Sequence, residues 1–376
     1  ASLFARLGVE GLNQAAGDLG RFSGKLHETG GALGGFGKVV GIAFAAAGAA
    51  AVGLGAAAVS MASEFEAGLS GIKAVSGATG EEMKALSSLA LQLGKDTVFS
   101  AAEATAGIEE LVKGGVSIAD VMSGAARATL NLASAGGVGL ADAAEIASNA
   151  LAMFNLQGED MAHVADLIAG AANASSLGVR DFQLSLAMAG AVASASGQTF
   201  DSLATAIAVM GKAGIKSSDA GTSLKQMLLN LQPTEKKQIA TMRRLGLITA
   251  DGTNKFIDAT GAIKDMAEIA QELQNATKDL TEAERIQALQ VMFGTDAVRA
   301  AVIMAKAGTE GFGEMADAMG KVTAAGVAAE RLNNVRGAIE QLKGSLETAA
   351  IALGVAFLPA IRKVVDAVVA LQNVVR

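Results

Sequence analysis

From about residue 72 to 310, apolar positions recur three and four apart in runs separated by glycine. This pattern predicts short amphipathic helices that turn one face to a shared core. Three runs open on a hydroxyl residue followed three positions later by glutamate: Thr79 with Glu82, Ser100 with Glu103 and Thr281 with Glu284. Ser117 and Asp120 make a weaker fourth pair. Such spacing predicts capping boxes, in which the hydroxyl accepts from an early backbone N–H and the carboxylate reaches back to the cap. Helix ends are predicted at Gly94, Gly114-Gly115, Gly136-Gly137, Gly178, Gly197 and Gly214, because glycine takes the left-handed turn that closes a helix. One stretch breaks the period. Leu247-Ile248-Thr249 and Lys255-Phe256-Ile257 flank Asp251-Gly252 and predict a small β-hairpin. Leu111–Val116 before Asp120 faintly echoes Met210–Ile215 before Asp219, but one such pair does not define a repeat.

The flanks read differently. Leu3, Leu7, Leu12, Leu19, Phe22 and Leu26 fall near helical spacing, and the glycine-rich hinge Gly30–Gly37 follows. That hinge lacks the leading glycine and closing hydroxyl of a phosphate-binding loop, which excludes a nucleotide site there. Val39 to Ala62 carries no charge and is long enough on paper to cross a bilayer, which takes ~20 residues. Much of its apolarity comes from alanine and glycine, and small residues at spacing four (Gly30/Gly34, Gly37/Gly41) suit close helix contact. Two roles fit: a helix buried against other copies or inside a tube, and a segment that enters a membrane. From about residue 327 onward the pattern predicts one long helix broken near Pro359.

Composition narrows the function classes. Of 376 residues, 51% are hydrophobic, 18% are charged and only 2 are proline, which excludes a disordered polyelectrolyte and permits long helices. With 13 Phe and no Trp or Tyr, the helices must pack through small side chains. The absence of cysteine removes disulfides and thiolate metal sites. A net charge of −7 leaves no basic footprint for nucleic acid, although DNA could pass such a surface without sticking.

Several motifs, in order, resemble the core domain of phage tail tape measure proteins. They begin with Met61-Ala62-Ser63-Glu64-Phe65-Glu66 and Ala74–Thr79. Next comes the most specific run, Leu93-Gly94-Lys95-Asp96-Thr97-Val98-Phe99-Ser100-Ala101-Ala102-Glu103-Ala104. Gly114-Gly115, Leu130–Ala133, Asp142, Phe154 and Asp166 continue the series. Ala213-Gly214-Ile215, Ala220-Gly221-Thr222-Ser223-Leu224, Met292-Phe293-Gly294-Thr295-Asp296-Ala297 and Gly354…Leu358-Pro359 complete it. The resemblance is strong over roughly residues 60–310. It marks Phe65, Phe99, Ser100, Glu103, Gly115, Phe154, Asp166, Gly214, Gly221, Thr222, Phe293, Gly294 and Pro359 as structural motif positions. It implies a ruler that sits in the tail tube lumen or tip, sets tail length during assembly in the host cytoplasm, and is released with genome delivery. The implied partners are tail tube protein, tail tip or baseplate proteins, assembly chaperones and further copies of the chain. Host membrane contact is the expectation from the uncharged segment Val39 to Ala62, and DNA passage without specific binding the expectation from the acidic balance. The alternative reading is a membrane-inserting helical channel component for DNA or protein translocation.

No catalytic, cofactor or metal site is expected. His163, three residues from Asp166, reads as a helix-surface histidine, since no HExxH or paired-histidine motif accompanies it. Glu81-Glu82 and Glu109-Glu110 read as solvated faces. Ser70-Gly71-Ile72-Lys73 has the SxxK spacing without companion motifs. Phe99, Phe154, Phe182, Phe200 and Phe293 read as core anchors, and Lys236, Lys237, Arg243 and Arg244 as a solvated basic face. The expectation is an all-α protein with one small hairpin: a helical segment over 1–37, an apolar helix over 38–71, a core over 72–310 and a long helix over 311–376 leading into a rod.

Overall fold

The computed structural model describes residues 50–375, and among them fifteen helices of nine residues or longer occur without a β-strand. The protein is all-α. The helices predicted over 2–28, the hinge at 30–37 and the first part of the apolar segment, 39–49, lie outside the described residues. In chain order the helices are α1 (Ala50–Ser76), α2 (Gly80–Asp96), α3 (Ala101–Lys113), α4 (Ala126–Gly136), α5 (Leu140–Met153) and α6 (Met161–Ala174). They continue with α7 (Val179–Ala195), α8 (Phe200–Lys212), α9 (Ser217–Leu229), α10 (Lys236–Arg244) and α11 (Met266–Thr277). The last four are α12 (Glu282–Phe293), α13 (Val298–Met319), α14 (Ala324–Leu332) and α15 (Val335–Val375).

Local chemistry sets the starts. Thr79, Ser100 and Thr281 each close a capping box, their backbone N–H groups donating to Glu82, Glu103 and Glu284 at 2.8, 2.8 and 3.0 Å. Ser117 accepts from the Asp120 N–H at 3.1 Å in a helical turn that runs into a wider π-turn at Val121–Ala125. At the ends, Gly115, Gly137, Gly197 and Gly214 take positive φ. The following residue then donates back five positions, as in Val116 N–H to Leu111 O and Ile215 N–H to Met210 O, both 3.0 Å. The echo between Leu111–Val116 and Met210–Ile215 is therefore a shared way of ending a helix. Asn155, at φ 52, does the same job for α5, with Leu156 N–H reaching Leu151 O at 2.9 Å.

Two of the predicted glycine stops are not stops. Gly94 lies inside α2, and Gly178 opens α7 at its N-cap. The predicted hairpin is also reduced. Lys255 N–H reaches Leu247 O at 2.9 Å and Thr249 N–H reaches Thr253 O at 3.0 Å, but only the bridge Ile248–Asn254 forms. A second turn follows, with Lys264 N–H to Phe256 O at 2.9 Å and the bridge Ile257–Ile263. Asp251 and Asp258 tie both turns with side-chain hydrogen bonds to Thr253 and Thr260, so the segment folds as two tight loops. At the far end, α15 runs through Pro359 unbroken, and the break falls at Asn333-Asn334. Pro359 is exposed in the helix, whereas Asn334 accepts the Gly337 N–H at 2.9 Å and so caps a new start.

The core centres on α8. Every residue from Ser202 to Gly211 is buried, with α6 and α13 packed closely and α7, α9 and α11 touching it. Its alanines make this possible: Ala204, Ala206 and Ala208 are fully buried, and none needs much room. The buried Ser202 hydroxyl is satisfied, donating to Gln198 at 3.2 Å and accepting the Met266 N–H at 3.3 Å. Around α8, α11 packs on α13, α7 on α9, α3 on α5 and α4 on α14. α13 spans position 310 and its Phe312, Met315 and Met319 are buried. Among the described residues no helix is long and apolar enough to cross a membrane, so the transmembrane candidate gains no support from the part of 39–62 within them.

Candidate functional site

The motif positions build three helix junctions. In the first, the loop between α2 and α3 forms a seat for α15. Thr97 bends the chain by donating to Leu93 O at 2.8 Å and accepting the Phe99 N–H at 3.2 Å. Ser100 and Glu103 then start α3. Above them passes α15: the Ser345 hydroxyl donates to Lys95 O at 3.1 Å. A side chain on Gly94 would put Cβ 2.4 Å from both the Ala101 nitrogen and the Thr348 hydroxyl, and one on Gly344 would meet Phe99 O at 3.0 Å. Gly94 is therefore a contact point, which is why it does not end a helix. Phe65 is buried, while Phe99 is only half-buried at the seat's edge.

The second junction fastens α14. Asp166 on α6 accepts the Ala324 N–H at 2.7 Å, and the Arg331 guanidinium donates to Ala135 O at the end of α4. The third joins α7, α9, α12 and α13. Gly221 lets α9 cross α7, since a Cβ there would lie 2.4 Å from Ser185 O. Gly294 ends α12 at φ 83 and ψ 173, a region only glycine enters freely. The exposed carbonyls are collected by polar side chains. Asn230 donates to Phe293 O at 3.2 Å, Gln238 to Met292 O at 3.2 Å and Ser223 to Asp296 O at 2.7 Å. A cavity of about 390 Å³ opens beside them, lined by Gln226, Asn230, Glu235, Gln290 and Thr295 among others. Phe293 is buried against Phe256 at 6.3 Å between ring centres, and Thr222 is half-buried next to Gly221. Phe182 and Phe200 are buried as anchors, while half-buried Phe154 meets Phe200 edge-on at 5.5 Å.

The chemistry-bearing residues do not converge. His163 contacts Asp201 at 2.9 Å, not Asp166, on an exposed surface. Ser70 donates to its own helix at Glu66 O, and Glu109 and Glu110 pair with Lys113, which raises the lysine pKa. Lys236, Lys237, Arg243 and Arg244 are all exposed on α10. The described carboxylates with displaced pKa values (Glu82, Asp181, Asp251, Asp258 and Glu284) are all displaced downward, chiefly by hydrogen bonds from neighbouring hydroxyls and backbone N–H groups. A general acid needs the opposite shift. Among the described residues no group of acids and histidines is arranged to hold a metal. What these sites do is fix helices against one another. The sequence pattern placed Ser223 in a motif without its partner and missed Asn230, Gln238, Arg331 and Ser345, because a polar side chain that pairs with a distant carbonyl has no periodic signature.

This arrangement of motif-built junctions coincides with a known family. Residues 87–294 match the family described as phage-related minor tail protein, and the chain belongs to that family. It is 32% identical over 350 residues, 92% of this chain and 29% of the relative, to the tape measure protein of Pneumococcus phage Dp-1. It is 27% identical over 232 residues, 61% of this chain and 28% of the relative, to the probable tape measure protein of Escherichia phage P2. The chain thus spans under a third of the length of these relatives. No solved structure matches it.

Proposed function

We propose that this chain is the folded, non-measuring part of a tape-measure-type tail protein, with a structural role in the tail and no catalytic one. The observation that carries the reading is α15. A 41-residue helix leaves a body of short packed helices, and at about 1.5 Å per residue it spans roughly 60 Å. A continuous helix converts residue number linearly into distance, which is what a ruler requires. The body from α2 to α14 then serves as an end-piece for attachment, and α15 leads toward the measuring rod. The relatives' names and the family match support this role. In this reading the partners are tail tube and tail tip or baseplate proteins, assembly chaperones and other copies of the chain. The protein occupies the tube lumen or tip and departs with the genome.

The test is to delete or duplicate whole heptads in the rod downstream of α15 in the intact phage protein. Tail length is expected to change in proportion, measured by electron microscopy. Tails of unchanged length would remove the ruler assignment.

A further inference from the structure

We infer that α15 is a detachable arm, docked reversibly on the α2–α3 seat and swung about a hinge at Asn333-Asn334. The docked contact is unusual for a helix with so much apolar side chain. Val335, Ile339, Leu342 and Leu346 follow one another at spacings of four, three and four and are 77%, 60%, 56% and 46% exposed. The face turned to the body is the opposite one and carries Gly344, Thr348 and Ile351. Helices that dock for good bury their apolar stripe. This one buries two glycine contacts and the apolar Ile351 and Leu358, and adds one exposed hydroxyl-to-carbonyl hydrogen bond from Ser345. The Thr348 hydroxyl is 6% exposed as a residue and has no hydrogen-bond partner, so docking strips it of water without replacement. Further along, the arm is held by an exposed ion pair between Arg362 and Glu66, a contact weakened by salt.

The hinge is built to move without unravelling its neighbours. Upstream, α14 is tied down at both ends by Asp166 and Arg331. Asn333 has φ −75 and ψ 58, outside the helical region, and Asn334 supplies both sides of the joint. Its amide donates to Arg331 O at 2.7 Å, and its carbonyl oxygen accepts the Gly337 N–H at 2.9 Å. Rotation near Asn333 leaves the cap of α15 intact. This inference deepens the proposed role by naming the joint between body and rod. It rests on contact geometry, so its test stands whichever way the tail-length experiment falls.

The chain has no cysteine, so single thiols report burial cleanly. Ile351→Cys on the docked face and Ile207→Cys in α8 are compared in the full 376-residue chain by rate of reaction with a thiol reagent. Ile351→Cys is expected to label at least tenfold faster than Ile207→Cys, and faster still in high salt. Adding Thr348→Val to Ile351→Cys is expected to slow labelling several-fold, because it removes the stranded hydroxyl. A merely tolerated packing defect with no opening would leave that rate unmoved. Hydrogen exchange on the unsubstituted chain provides the check that needs no variant: amides of α15 over residues 340–352 exchange before those of α8. Equal labelling of both cysteines at the global unfolding rate, or common exchange protection of α15 and α8, would overturn the detachable arm.

Discussion

The Asp166 carboxylate accepts the backbone N–H of Ala324 across 158 positions of sequence, at 2.7 Å, and thereby caps a helix to which it does not belong. The bond spans α6 and α14, and the same α14 returns a cation, Arg331, to the last turn of α4. An acid at a helix start and a base at a helix end both oppose the helix dipole, so each contact is electrostatically favourable. The consequence is that the last short helix of the body is located by two long-range polar bonds.

Asp166→Ala should therefore cost about 1–2 kcal/mol, the usual worth of a cap with an ionised acceptor. Asp166→Asn should lose less, since an amide oxygen can still accept. Urea unfolding of the three proteins gives the ranking, and an alanine variant as stable as the parent would show that the bond contributes nothing.

Gly221→Ala tests the α7–α9 crossing. Its Cβ would lie 2.4 Å from Ser185 O and 2.8 Å from the Met188 Cβ, neither of which can retreat without moving a helix. Overpacking of this kind costs roughly 1–3 kcal/mol. Thermal unfolding should show the loss, while Gly313→Ala in α13, with open space around it, should be neutral or slightly stabilising.

Ser217 is a non-glycine residue at φ 55 whose hydroxyl bonds Asp181. Ser217→Ala keeps the strained backbone and loses the bond, whereas Ser217→Gly loses the bond but relaxes the strain. The glycine variant should be the more stable of the two, the reverse of the normal helix preference. In both, the Asp181 pKa should rise, because the Ser217 hydrogen bond is the largest cause of its depression. Carboxyl NMR titration measures that shift directly.

The capping boxes predict an acid response. Hydrogen bonds from Thr79 to Glu82 and from Thr281 to Glu284 hold both carboxyls below the ordinary glutamate value. A carboxylate with a depressed folded pKa stabilises the fold above its unfolded pKa, and the contribution is lost as pH falls through the folded value. Helix starts at Gly80 and Glu282 should thus be fully protected at neutral pH and should fray first below the normal carboxylate range. Amide exchange at these two turns, followed from neutral pH to well below the ordinary glutamate value of 4.5, checks it. Thr79→Val should weaken the pH dependence at the first site alone without abolishing it, because the backbone N–H of residue 79 still donates to Glu82 and is the larger cause of its depression.

Much of the architecture was legible in the residues because it is local. Hydroxyl–x–x–glutamate starts and glycine ends act within one turn of the backbone, so Thr79, Ser100, Thr281, Gly115 and Gly214 do in space what their spacing predicts. The errors share one cause, which is that the competing partner lies far away in sequence. Gly94 reads as a stop, yet it is a helix-interior contact for Thr348. Pro359 reads as a break, yet α15 continues through it, while the actual break falls at Asn333-Asn334, where Asn334 bonds its own turn. The segment around Asp251 forms only single bridges, and beyond it the Asp258 side chain accepts the backbone N–H groups of Thr260 and Ala262.

By itself, the amino-acid order determined that this is a helical, cysteine-free, glycine-punctuated protein, and where most of its helices begin, because those choices are settled by neighbours three to five residues apart. Only the tertiary structure decided which helix sits at the centre, which carboxylate caps which distant turn, and which face α15 shows to the body. Those outcomes depend on close approach of groups tens to hundreds of positions apart, and periodicity carries no record of such meetings.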